Sequence, residues 1–273
     1  MLEQTNNKTI AKNTLFLYLR MMFTMIVTLF TSRIILQKLG IDDYGIYQAV
    51  GGVVGFLSFI NGALSTGSSR FLTYAIGERN LEKLKRTFST TLNIHILIAI
   101  IVVILAETVG LWFLYNKMVI APDRMTAAVC TYHLSILTAV FSLTQVPYNA
   151  VIIAHERMSI YAYMSIFEVS AKLGICYLLT LVDYDKLILY ASLLFIVQLL
   201  VMLFYRLYCT KNFKEARFSM TFDEIVFKEI ARFSGWSMFA NTAMALNSQG
   251  ILVLLNIFFS PAVVADRKST RLN

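Results

Sequence analysis

Two arginines, one lysine and one glutamate sit where apolar sequence would ordinarily exclude charge. Arg20 and Arg33 fall inside Ala11 to Gly45, AKNTLFLYLRMMFTMIVTLFTSRIILQKLGIDDYG, a stretch long enough to cross a bilayer. Glu168 and Lys172 fall inside a later apolar run, four residues apart with the carboxylate first, the order that favours an ion pair along a helix. Charge at membrane depth is expensive, so such groups turn toward a bundle interior, a water-filled cavity or the interface. Arginine offers a planar fork matched to phosphate oxygens and lysine a compact point charge. Arg20 and Lys172 are therefore the candidates for holding an anion, with Glu168 placed to set the state of Lys172 or to join in ion coupling.

At 100° per residue, helical phase tests whether these groups share faces. Tyr161, Ser165, Glu168 and Lys172 lie within about 60° of one another, a narrow polar stripe. Asn13, Arg20, Thr24 and Thr31 also share a face, whereas Arg33 lies about 220° round from Arg20. Thr131, Ser135, Thr138, Ser142, Gln145 and Asn149 gather on one side of their run, and Ser234, Ser237, Asn241 and Ser248 on one side of theirs. Hydrogen bonding between packed helices competes with a hydrated cavity as the account of the last two groups, and both stay open. His95 and His133 have no obvious partner and read as packing residues, and Glu107 stands where it can reach water.

The elements that must position these residues follow from composition. The 273 residues are 58% hydrophobic and 15% charged, too apolar for a soluble domain. Seven spans are expected, at about 13 to 37, 44 to 66, 88 to 115, 125 to 152, 159 to 182, 186 to 208 and 233 to 258. The start, MLEQTNNKTIAKN, is polar and no cleavage site follows the first apolar run, so that span is expected in the mature protein. Cys130, Cys176 and Cys209 have neither metal nor disulfide spacing.

Net charge is +8, but it does not point to nucleic acid. With the amino terminus inside, the inner segments hold fourteen Lys and Arg and the outer turns four, Lys38, Lys117, Arg124 and Lys186. That bias predicts a cytoplasmic amino terminus. Tyr44, Tyr47, Trp112 and Tyr115 at the outer ends, and Tyr205, Tyr208 and Trp236 at the inner ones, fit interfacial belts, and each alone fits ordinary packing equally well. Gly51, Gly52 and Gly55 are spaced for close helix approach, and the basic, amphipathic Ser68 to Phe88 reads either as a linking helix on the inner surface, able to rest on anionic lipid, or as a solvated cytoplasmic connection. The expected organisation is a six-span lobe over 1–209, a cytoplasmic connection over 210–231, and a seventh span over 232–265. The last eight residues, DRKSTRLN, break abruptly from what precedes and resemble the translation of a sequencing adapter, so the natural residues are expected to stop at Ala265 with the gene continuing elsewhere, the alternative being an authentic short basic tail.

Ser32 to Phe71, SRIILQKLGIDDYGIYQAVGGVVGFLSFINGALSTGSSRF, resembles the start of Wzx-type polysaccharide flippases, which belong to the exporter superfamily of the multidrug and toxin extruders. Phe233 to Pro261, FSGWSMFANTAMALNSQGILVLLNIFFSP, looks like the seventh span that opens that family's second bundle. The resemblance implies an all-α polytopic membrane protein, the first six-helix lobe of a two-lobe transporter plus one further span. It implies a bacterial cytoplasmic membrane location, alternating access, and a substrate of polyprenyl-pyrophosphate-linked oligosaccharide flipped to the periplasmic leaflet. Membrane lipids and neighbouring polysaccharide-assembly proteins are the other implied partners. No cofactor is expected beyond coupling to an ion gradient. In that setting Arg20 and Lys172 would hold the diphosphate, and Gln145 and Asn241 would contact sugars. With half of a two-lobe cavity wall absent, the chain by itself is not expected to transport.

Three other readings compete. A drug or metabolite cation antiporter of the same superfamily would want an acidic, aromatic cavity, against which Arg20 and Lys172 count. A glycan polymerase or ligase would need a substantial outer loop with paired acids or an activated nucleophile, and the outer turns are short. A structural or interaction protein would not need aligned charged stripes.

Overall fold

The computed structural model describes residues 2–56, 58–118, 120–181, 184–217 and 222–245, with side chains placed from residue 11 onward except across 52–60 and 241–245. Every regular element among these residues is helical. The seventh span beyond residue 245 and the DRKSTRLN tail lie outside the described residues.

Helix α1, Leu2–Phe56, is two helices meeting at Gly40, whose φ of 82° only glycine adopts without strain. The halves run in opposite directions: Asn13 reaches the carbonyl of Glu156, while Asp43 pairs with Arg124 at the other end of the bundle. The chain then continues into α2, Ser58–Gly77. Arg79, at φ 55°, carries the turn into α3, Leu81–Leu105, where the Asn80 side chain accepts from the Glu82 and Lys83 amides as an N-cap. The expected surface-lying helix over 68–88 is thus replaced by the two arms of a helical hairpin. The capping asparagine and a left-handed residue at its tip form a sharp turn that a continuous linking helix could not contain.

A π-turn at Ala106–Gly110 joins α3 to α4, Leu111–Asn116. Its Ala106 carbonyl accepts from both the Leu111 amide and the buried Tyr132 hydroxyl, the latter at 2.7 Å. Then follow α5, Met125–Ala154; α6, Met158–Leu178; α7, Lys186–Asn212; and α8, Glu224–Ala245. Among the described residues the long helical segments alternate in direction, α8 coming last. Helix α5 is the central post, packed along α7, α2, α3 and the first helix, while α6 lies on the first half of α1 and α8 on α2 and α3.

Leu72, Phe88, Tyr148, Ile152, Val201 and Cys209 form part of one buried cluster, with Phe88 and Tyr148 edge to face at 5.4 Å. The bundle's outside is equally apolar, as at Leu97, Ile100, Ile101 and Ile104 of α3, all exposed. Four stretches, Ala11–Gly51, Leu81–Asn116, Pro122–Ala154 and Lys186–Asn212, are long and apolar enough to cross a membrane. Where lipid is as apolar as leucine, dispersion and interhelical hydrogen bonds hold helices together. Close packing is therefore decisive, as at Gly67, where an added Cβ would stand 2.6 Å from Ser234 Oγ of α8. Of the three glycines expected to serve that purpose, Gly51 borders open space, and the surroundings of Gly52 and Gly55 lie outside the described residues.

Candidate substrate cavity

The two polar stripes read from helical phase face each other, because α6 packs on the first half of α1. The Arg20 guanidinium lies over the Tyr161 ring, 4.5 Å from its centroid, with Nη1 at 3.5 Å from Ser165 Oγ. Its Nε is buried with no protein acceptor. One and a half to two turns further along α6, Lys172 Nζ donates to Glu168 Oε1 at 2.6 Å. Seven residues separate Ser165 from Lys172, so the two cations stand about 10 Å apart along the helix axis.

Arg20, Glu168 and Lys172 line one cavity of about 740 Å³. Its charge is two cations against one carboxylate. Arg20 has donors to spare, and Lys172, one of whose three N–H groups is held by Glu168, keeps others for a ligand. The walls are aromatic and thioether: Tyr18, Tyr44, Tyr47, Tyr190, Met21 and Met25. Tyr47 and Tyr190 meet edge to face at 4.9 Å, and Gln48 donates to the Tyr44 hydroxyl at 2.7 Å. Tyr44 and Tyr47 therefore belong to the cavity and not to an interfacial belt, since the elbow at Gly40 turns their helix face inward. Tyr205 is buried as well, while Trp112, Tyr115 and Trp236 are exposed.

Tyr47, Glu168 and Lys172 also border a second cavity of about 340 Å³, so the ion pair stands between the two. Hydroxyls and amides line the smaller one: Asn61, Ser135, Thr138, Ser142 and Gln198. Asn61 Nδ2 donates to Ser142 Oγ at 3.3 Å, and its Oδ1 is buried without a partner. Gln145 stands one bond behind this lining, its Oε1 accepting from Gln198 Nε2 at 2.9 Å. Asn241 belongs to the backbone of α8, and its side chain lies outside the described residues. Three of the five expected site residues thus come together, one is a step removed, and one lies outside the description.

The remaining charges of the passes serve other ends. Arg33 is exposed and outside the cavity, and Asp43, ten residues on, is paired with Arg124. That guanidinium bridges Asp43 at 2.5 Å and Asp185 at 2.6 Å. Asp185 also caps α7, accepting from the amides of Leu187 and Ile188 at 3.1 Å. One arginine thereby ties the α1 elbow, the start of α5 and the start of α7. Burial raises the Asp185 pKa, but the Arg124 hydrogen bond and the two amides outweigh it and the net shift is downward. At the amino-terminal end His155 Nε2 meets the buried Glu215, and its ring stacks on Phe213 at 4.3 Å. Burial raises the Glu215 pKa, and the His155 hydrogen bond overrides it, leaving the carboxyl below its ordinary value. His95 Nδ1 sits 2.8 Å from the Thr91 carbonyl, while His133 finds Glu107 at 3.5 Å, a partner that sequence separation had hidden.

The residue pattern alone did not bring the aromatic wall to the site. Tyr44, Tyr47 and Gln48 stand at the spacing of a single helix face, so the same phase test could have grouped them.

With the geometry in place, comparison with known proteins is informative. The MatE family model matches residues 16–178. A MOP superfamily transporter from Pyrococcus furiosus, whose binding pocket is described as having a reverse polarity that suggests a different function, is similar in structure. It has a TM-score of 0.63 at 14% identity, over 86% of this chain and 53% of that one. A MATE structure in complex with MaL6 is similar too, with a TM-score of 0.64 at 15% identity, over 86% of this chain and 54% of that one. At such identities the likeness is one of fold. The chain spans about half the length of these two structures. No curated protein sequence matches it.

Proposed function

The chain belongs to the MatE family, and from that premise we propose that it forms one lobe of a multi-pass membrane transporter that flips a lipid-linked oligosaccharide. The proposed cargo carries a polyprenyl pyrophosphate and crosses from the cytoplasmic to the periplasmic leaflet by alternating access, with the amino terminus cytoplasmic. The observation that carries this reading is the shared cavity of Arg20 and Lys172, cationic on balance and bordering lipid-depth helices. A diphosphate on Arg20 would satisfy the orphaned Nε, and Lys172 would offer its remaining N–H groups. The hydroxyl- and amide-lined second cavity behind the ion pair suits a sugar, and a polyprenyl tail needs no protein pocket because it can stay in lipid. No covalent step is required, so the reading is of a transporter and not an enzyme.

A second reading, an antiporter of organic cations, draws support from the tyrosine and methionine walls. Against it, the one carboxylate among the lining residues, Glu168, is already held by Lys172. In the Pyrococcus furiosus transporter the polarity of the pocket has been taken as the sign of function. By that analogy, a cavity with two cations and one anion favours an anionic cargo here.

The test is accumulation of lipid-linked oligosaccharide on the cytoplasmic face of cells lacking the gene, complemented by the complete transporter carrying Arg20→Ala with Lys172→Ala. Accumulation that persists supports the flippase. Full clearance by the double variant, or a cell-surface glycan unaffected by loss of the gene, sinks it.

A further inference from the structure

A third cavity, of about 700 Å³, opens between α2, α3 and α8 at the end of the bundle that carries the amino terminus. Arg70 of α2 and Glu229 of α8 both line it. The Arg70 guanidinium lies over the Phe233 ring, 4.6 Å from the centroid. Among the described residues neither Arg70 nor Glu229 has an ion-pair partner within 4 Å, although they border one space. The one lysine of the lining, Lys83, feels the Glu229 charge but is held by Glu78 at 2.7 Å. Helix α8 is seated against α2 where Ser234 meets Gly67.

The depth of the site is also informative. Arg70 follows the second apolar run by only a few residues, and Lys83, Lys85 and Arg86 precede the third, so the cavity lies in the charged collar where headgroups sit. Tyr74 of its lining is exposed, as are Ile225 and Trp236 on α8, apolar surface along which chains of a lipid can run. Ser69 and Thr87 add hydroxyls to the lining.

We propose that this cavity binds the headgroup of an ethanolamine phospholipid, with the phosphate on Arg70 and the ammonium on Glu229. The two unpaired charges call for a ligand that is anionic at one end and cationic at the other. A glycerol phospholipid would place an uncharged headgroup against Glu229. A choline phospholipid would bring a cation with no N–H to donate to the carboxylate.

Native mass spectrometry of the purified 273-residue chain tests this, using mixed micelles with equal amounts of ethanolamine, choline and glycerol phospholipids of identical acyl chains. The ethanolamine lipid is retained over each of the others by on the order of tenfold, the worth of one charge-assisted hydrogen bond. Glu229→Gln abolishes its advantage over the glycerol lipid. Arg70→Ala lowers retention of all three, and Arg70→Lys restores part of it. Both side chains are exposed, so these variants fold. Equal retention of the three lipids, or an unchanged preference in Glu229→Gln, overturns the proposal. Displacement of the lipid by equimolar glycerophosphoethanolamine overturns the lipid assignment in favour of a soluble zwitterion.

Discussion

The bundle holds two ion clusters of the same size with opposite balance. In the cavity, two cations share one carboxylate; at the far end, two carboxylates share the one guanidinium of Arg124. The second cluster is closed, since Asp185 spends its remaining lone pairs on the α7 amides and Arg124 has a carboxylate on either side. The first is open: Arg20 leans on a ring and a distant hydroxyl, and its Nε is unpaired. A saturated cluster fixes geometry, whereas an unsaturated one is left with donors for a ligand. Charge in a membrane helix therefore says little about role until its partners are counted.

The sharpest way to break this contrast is to remove each cluster's cations and ask which property falls. Arg20→Ala with Lys172→Ala lowers transport by the complete protein by about a hundredfold, two charge-assisted contacts' worth, while the unfolding midpoint moves by about 2 °C at most. A large fall in the midpoint with transport retained would reverse the roles assigned to the two clusters.

Next in size, Arg124→Ala leaves Asp43 and Asp185 facing each other and destabilises by about 2 kcal/mol, less than a fully buried pair would because all three side chains keep some exposure. Thermal unfolding in detergent reads this directly. Arg124→Lys recovers less than half, since an ammonium cannot fork to two carboxylates.

Acidification is a milder probe of the closed pairs. Asp185 and Glu215 both titrate below their ordinary values of 3.8 and 4.5. Their contribution is present in full above the unfolded values and is lost as pH falls through the lowered folded ones. The midpoint should therefore hold from neutrality to about pH 4.5 and drop below it as the two carboxylates take up protons. Asp185→Asn removes part of that drop, and an unchanged profile in this variant would deny Asp185 its role.

The smallest effect concerns the ring beneath Arg20. Tyr161→Phe keeps the ring face and leaves transport within about twofold, whereas Tyr161→Leu lowers it about threefold through the lost cation–π contact. Equal losses in both variants would shift the role from the ring to the hydroxyl.

The amino-acid sequence already contained the helices, because runs of about 20 apolar residues and their flanking charges are local properties. It contained the polar stripes as well, because residues three and four apart share a helix face whatever surrounds them. Thus Arg20, Glu168 and Lys172 could be singled out, and all three line the cavity. Which stripes face each other is a property of packing. Arg20 and Ser165 are 145 positions apart, and only the seating of α6 on α1 joins them. The same holds for Arg124, which by position looked like an isolated outer charge and is joined by the fold to carboxylates 81 and 61 residues away. A turn between 37 and 44 was legible in the span boundaries, but that it bends at Gly40, where φ is positive, and brings Tyr44 and Tyr47 to the cavity belongs to the fold. Short-range periodicity determined what each helix could present, and only the packing of the helices decided what it would be presented to.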